Sequence, residues 1–248
     1  MKKPSLSQLT FVQGEPHHVA KAIVQSYTER DSIMVIHYMY YASYYSVTKN
    51  SKLLASYALA DYILPDGIGM QLCFWMLRGA WICNLNGTDM TPLMMQEAVA
   101  IQMPIVMYGT TVENIQGCAI RFCEEYGKPL SYFQDGYSSL DLRNVPDGAL
   151  LIIGMGTPRQ ELWVQEHIEA LKAKKLLVVT AGGFLDFYCG YYIRAPRIVR
   201  MLKLEWLWRT ILHPARHYHK RLRDMTVVFL PLWHRIIGVS RSIRIKYL

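Results

Sequence analysis

Residues 149–161 read ALLIIGMGTPRQE. Five apolar residues, Ala149 to Ile153, stop at Gly154 and give way to a polar, helix-starting stretch. So short an apolar run bounded by glycine suits a strand buried on both faces of a sheet. Two more runs end the same way, "VMYGTTVE" from Val106 and "VVTAGGFLD" from Val178. Further candidate strands are "SIMVIHY", "DYIL" and "PLSYF", with amphipathic segments near 52–60, 90–102, 112–126 and 158–173. Strands alternating with helices predict a Rossmann-like α/β fold, a mostly parallel sheet flanked by helices. Ligands of such sheets bind beyond the carboxyl ends of the strands, where the glycine-tipped loops gather. "TTVE" and "TPRQ" both fit a capping box, with Thr110 and Thr157 at N-cap, Glu113 and Gln160 at N3 and Pro158 at N1. Ordinary helices carry the same box, so it serves equally as a plain cap or as a diphosphate cradle. GxxxxGK[ST] is absent and no GxGxxG opens a helix, which excludes a P-loop and a typical dinucleotide fold.

The composition narrows the class. A chain of 248 residues, 52% hydrophobic, is long enough for a substantial core. It lacks the run of ~20 apolar residues that a membrane-spanning helix needs, and "MKKPSLSQLTFVQGE" lacks the apolar stretch of a secretory signal. Five cysteines, none in CxxC, read as reduced thiols of a cytoplasmic protein. From Arg194 onward, 13 Lys or Arg face two acids, Glu205 and Asp224, while the first 193 residues hold 14 basic and 17 acidic groups. The positive charge is thus confined to the C-terminal quarter, which points to a polyanionic partner. The expected organisation is a domain at 1–190 and a basic, amphipathic appendage at 191–248.

In "YILPDGIGM" an aspartate, Asp66, follows a short apolar run, with Pro65 before it and Gly67 and Gly69 after. This places a carboxylate at the rim of the sheet, either as a turn former or as an accessible acid–base group. There is no DxD triplet, and His213, His217 and His219 have no carboxylate or cysteine at ligand spacing, so no metal site is expected.

The motifs "LPDGIGM", "NGTDM", "GMGTPRQELW", "AGGFLDFYCGYYIRAP" and "LEWLWRTILHPAR", in this order, resemble the WecB/TagA/CpsF family of bacterial glycosyltransferases from about Ser32 to Arg223. The resemblance implies an inverting transferase that moves a sugar, often of the N-acetylmannosamine type, from a UDP donor to a lipid-diphosphate-linked sugar. It implies Asp66 as catalytic base, with Arg209 and Arg216 beside it from the appendage. It implies Gly67, Gly87, Asp89, Gly109, Asp135, Gly136, Gly154, Gly156, Gln160, Glu161, Gly182, Gly183, Asp186 and Arg194 as substrate-binding positions. The UDP-sugar is then a co-substrate, and no cofactor is required. Departures from the family pattern fall at "IHYMYY" (36–41), at Asn84 where an arginine is usual, and at His219.

The stretch "MTVVFLPLWHRIIGVSRSIRIKYL" is apolar and basic together, as an interfacial segment on anionic lipid would be. Expected partners are therefore the UDP-sugar, a polyprenyl-diphosphate-linked acceptor and an anionic membrane surface, with a homo-oligomer allowed. The expected location is peripheral, at the inner face of the cytoplasmic membrane. Two rival readings are a nucleic-acid binder, because arginines and aromatics interleave in the tail, and a membrane-docked protein with a degenerate pocket.

Overall fold

The computed structural model describes residues 6–196, 198, 199, 208 and 243–248. An eight-stranded sheet organises them, in the order β5-β4-β6-β7-β2-β3-β1-β8, and its paired strands run parallel. The strands are β1 (Thr10–Gln13), β2 (Met34–Met39), β3 (Tyr62–Pro65), β4 (Ile105–Gly109), β5 (Tyr132–Gln134), β6 (Leu150–Gly154), β7 (Leu177–Thr180) and β8 (Arg244–Tyr247). Every residue of β2, β3, β4, β6 and β7 is buried. That is the physical reason these strands appear in the sequence as unbroken apolar runs instead of alternating ones.

Helices cover both faces, with alternate strand residues feeding two cores. On one face α1 (Pro16–Thr28), α5 (Gly87–Ala100), α6 (Val112–Tyr126) and α9 (Phe184–Tyr188) pack on Met34, Ile36, Met107, Ile152 and Val179. On the other, α2 (Tyr41–Lys49), α3 (Ser51–Ala58), α4 (Gly67–Arg78), α7 (Arg159–Glu166) and α8 (Ile168–Ala173) pack on Val35, Ile63, Val106, Leu151 and Val178. The Rossmann-like expectation holds.

The details differ from the expectation in four ways. The segment near 158–173 is two helices broken at His167. α1, α2, α4 and the short α9 add four helices that the pattern did not disclose. Each anticipated cap is displaced by one residue: Thr111, whose hydroxyl accepts from Asn114 N, caps α6, and Pro158 stands at the cap position of α7. The fourth difference is at the sheet's edge: neither β1 nor β8 is among the expected strands, and the two pair over Thr10–Gln13, with Ile243 buried. No described helix is long and apolar enough to cross a membrane.

Beyond β4 the chain continues through α6 to β5 on one side, and beyond β6 through α7 and α8 to β7 on the other. Neighbouring strands whose connections part in opposite directions leave a crevice at their carboxyl ends, which is where ligands of such sheets are held.

Candidate active site

The described candidate residues meet along this carboxyl edge. At the β4–β6 crevice the loops are packed backbone on backbone. Gly109 and Gly154 are register partners, and Thr110 N donates to Gly154 O at 3.1 Å. A Cβ on Gly109 would lie 2.4 Å from the Gly154 carbonyl oxygen, so a side chain is sterically barred there. Gly136 closes the same junction, its N donating to Thr110 O at 2.9 Å. Thr110 adopts φ 52, a left-handed conformation unusual for a β-branched residue. Its hydroxyl donates to the Asp186 carboxylate, to which the Asn114 amide also donates at 3.0 Å.

Asp135 is buried beside this junction. Its Oδ1 accepts from Tyr137 N at 2.9 Å and Ser138 N at 3.0 Å, and its Oδ2 from the Gln134 amide at 2.7 Å. Burial works against the charge, but these donors prevail and hold the carboxyl below its usual range. Its charge is spent on shaping the turn after β5.

A second group of glycines behaves differently. At Gly156, Gly182 and Gly183, which follow β6 and β7, a Cβ would meet no atom of the described residues within 4 Å. Among the described residues, these turns border space that another molecule can enter. Gln160 ties them together: its Oε1 accepts from Gly156 N at 3.2 Å and Gly182 N at 3.1 Å, and its Nε2 donates to Thr180 O at 3.2 Å. Gln160 and Glu161 are both buried, beneath the loops. Burial pushes the Glu161 carboxyl above the usual range, outweighing the donors from Gln160 and Thr157.

Asp66 follows β3, half-buried, and its N donates to Met39 O at 2.9 Å. It occupies the N-cap position of α4, yet its side chain makes no cap hydrogen bond. The helix N–H at Gly67 is taken by Asn84 Oδ1 at 2.7 Å instead. Asn84, the departure in the sequence, therefore supplies the capping that a turn-forming aspartate would have supplied. A Cβ on Gly67 would also meet no atom of the described residues within 4 Å. Asp66 and the β6 loop are three strand spacings apart in the sheet order, roughly 14 Å at ~4.8 Å per strand.

Between them lies the start of α5. A Cβ on Gly87 would sit 3.4 Å from Ala181 O and 3.5 Å from the Tyr38 ring. Asn86 caps the helix, accepting from Asp89 N at 3.0 Å. Asp89 pairs with Arg194 at 2.6 Å, which ties the "RAP" stretch to this helix start. The Tyr38 and Thr91 hydroxyls lie 3.2 Å apart and His37 Nδ1 is 2.9 Å from the Thr180 hydroxyl; His37 and Tyr38 stood out in the sequence only as part of the 36–41 departure, and Thr91 and Thr180 did not stand out. A histidine inside the otherwise apolar run "IMVIHYM" was the available signal. Arg209 and Arg216 lie outside the described residues. No group of three His, Cys, Asp or Glu among the described residues could hold a metal ion.

Against known proteins, residues 5–241 match the model of the Glycosyl transferase WecG/TagA/CpsF family. A protein of Bacillus spizizenii named N-acetylglucosaminyldiphosphoundecaprenol N-acetyl-beta-D-mannosaminyltransferase is 24% identical over 223 residues, covering 87% of this chain and 86% of its own. A Staphylococcus aureus protein of the same name is 26% identical over 161 residues, 62% of each chain.

Proposed function

The chain belongs to the WecG/TagA/CpsF family of glycosyl transferases, and from that premise we propose that it moves an N-acetylmannosamine-type sugar from a UDP donor to a polyprenyl-diphosphate-linked sugar, with inversion. The observation that carries this reading is the carboxylate of Asp66, set at the carboxyl edge of the sheet and not used to cap the helix it precedes. In inverting transfer one carboxylate suffices, since a second serving as nucleophile would give retention, by analogy with glycoside hydrolysis. Asp66 takes the proton of the acceptor hydroxyl as that oxygen bonds to the anomeric carbon. The bond to the diphosphate breaks, and UDP leaves with the electron pair.

The donor lies across the strand ends, its sugar towards Asp66 and its diphosphate towards the open turns at Gly156, Gly182 and Gly183. Charge growing on the leaving diphosphate is met by Arg209 and Arg216, which act most strongly in the transition state. The named relatives, whose names specify an N-acetylglucosaminyl-diphosphoundecaprenol acceptor, support an acceptor of that class. The enzyme then works in bacterial surface polysaccharide synthesis, docked at the inner membrane face through its basic C-terminal quarter.

Two measurements test this. A panel of UDP-sugars with a prenyl-diphosphate-linked N-acetylglucosamine acceptor should give a disaccharide product, and Asp66→Asn should lower its rate ~10²–10⁴-fold with UDP affinity retained. A folded Asp66→Asn protein with wild-type turnover overturns the assignment of the base. Activity should also survive excess EDTA, because side-chain cations and backbone dipoles carry the diphosphate charge. Loss on chelation with recovery on Mg²⁺ or Mn²⁺ overturns that part.

A further inference from the structure

The side-chain amide of Gln160 has two acceptor sites and two donors, and all four are engaged. Its oxygen receives Gly156 N and Gly182 N; its nitrogen serves Thr180 O at 3.2 Å and Glu161 Oε1 at 2.9 Å. Turning the amide over would set its N–H groups against two backbone N–H groups. Glu161 Oε1 opposes that turn and also accepts from the Thr157 hydroxyl at 3.0 Å, within the same β6–α7 loop. Tyr57 reaches the same oxygen at 3.5 Å from α3. One buried oxygen atom therefore anchors the amide, the loop and helix α3, which packs on the same face of the sheet as α7.

Packing alone does not account for a carboxyl here. Glu161 is fully buried and its Oε2 has no hydrogen-bond partner within the described residues. A buried polar oxygen left in that state costs stability that an apolar side chain of similar size would not.

We infer that Glu161 is a positioning residue: it locks the orientation of the Gln160 amide, and through it the spacing of the Gly156 and Gly182 turns that receive the donor. The catalytic consequence rests on the sugar-nucleotide reading above; the locking of the loops does not.

The test compares Glu161→Gln, which keeps an acceptor oxygen at the position of Oε1, with Glu161→Leu, which removes it. Amide hydrogen exchange at Gly156 and Gly182, read by NMR, should be roughly fivefold to tenfold faster in Glu161→Leu, the ratio that one ordinary hydrogen bond supports. In Glu161→Gln it should match the wild type. Donor kcat/KM should fall about 10²-fold in Glu161→Leu, as small misplacements of a binding element do. If Glu161→Leu does not fold, Glu161→Asp, which withdraws the oxygen by one methylene, takes its place. Wild-type exchange at both glycines in the Leu or Asp variant overturns the inference, as does equal loosening in Glu161→Gln. A wild-type protein that binds no UDP-sugar sinks the donor assignment instead, and the exchange rates still decide the locking.

Discussion

An imidazole without access to water stands near the carboxyl end of β2. His37 is fully buried, its Nδ1 2.9 Å from the Thr180 hydroxyl and its ring 5.3 Å from that of Tyr57. Burial lowers its pKa from 6.5 to about 4. The unfolded chain therefore takes up a proton near pH 6.5, whereas the folded protein resists until about pH 4. Stability from this group is fully present above pH 6.5 and is lost as the pH falls from there to about 4. Its size is about 3 kcal/mol, at 1.36 kcal/mol per pH unit of difference. Urea unfolding between pH 7.5 and 4 should show that decline in the wild type, and His37→Asn, which does not titrate, should flatten it. An equal slope in both proteins would assign the acid sensitivity to other groups.

The loops at the carboxyl edge divide into two kinds of glycine, and each answers a substitution differently. Gly183 has φ −79, which any residue adopts, and no atom of the described residues where a side chain would go. Gly183→Ala should leave stability unchanged or raise it by about 0.4–1 kcal/mol, while the added methyl obstructs the donor and raises its KM. Gly109→Ala should instead lower the melting temperature, since its Cβ would strike the Gly154 carbonyl oxygen at 2.4 Å. Thermal melts beside donor titrations distinguish the two, and a Gly183→Ala protein with unchanged donor KM would move the donor elsewhere. The strands ending in these glycines were legible because their burial on two faces is a local, continuous signal. α4 was hidden by the Pro-Asp-Gly-Ile-Gly start that also ends β3, and α2 by tyrosines whose local preference is for strands. The cap of α6 moved because adjacent threonines in "GTT" offer the same chemistry. Asp66, Gln160 and the glycines could be named from the sequence. That Gln160 bridges two loops, or that His37 meets Thr180 across 143 positions, is set only by the assembled sheet.

At the scale of the molecule, β8 joins the last described residues to the first strand. Leu248 N donates to Gln13 O, the Arg78 guanidinium to Ile243 O, and Lys246 lies 4.6 Å over the Tyr62 ring. Basic residues in the C-terminal quarter thus have two employments, one in the sheet and one proposed at the membrane. Deleting 243–248 should bare the edge of β1 and remove the buried Ile243, lowering the melting temperature by on the order of 5 °C. An unchanged melt would mean that β8 is dispensable. Membrane docking is therefore better probed by replacing Arg235 and Arg241 in the full chain, with vesicle co-sedimentation as the readout, than by truncation. The same pairing fixes an order of events during synthesis. β1 emerges from the ribosome early, but the strand that covers its edge follows more than two hundred residues later. At about 5–20 residues per second, the nascent sheet stands open at Phe11 and Val12 for roughly ten seconds or more. Through that interval β1 has β3 on one side and, on the other, an open edge of the kind that invites a wrong neighbour.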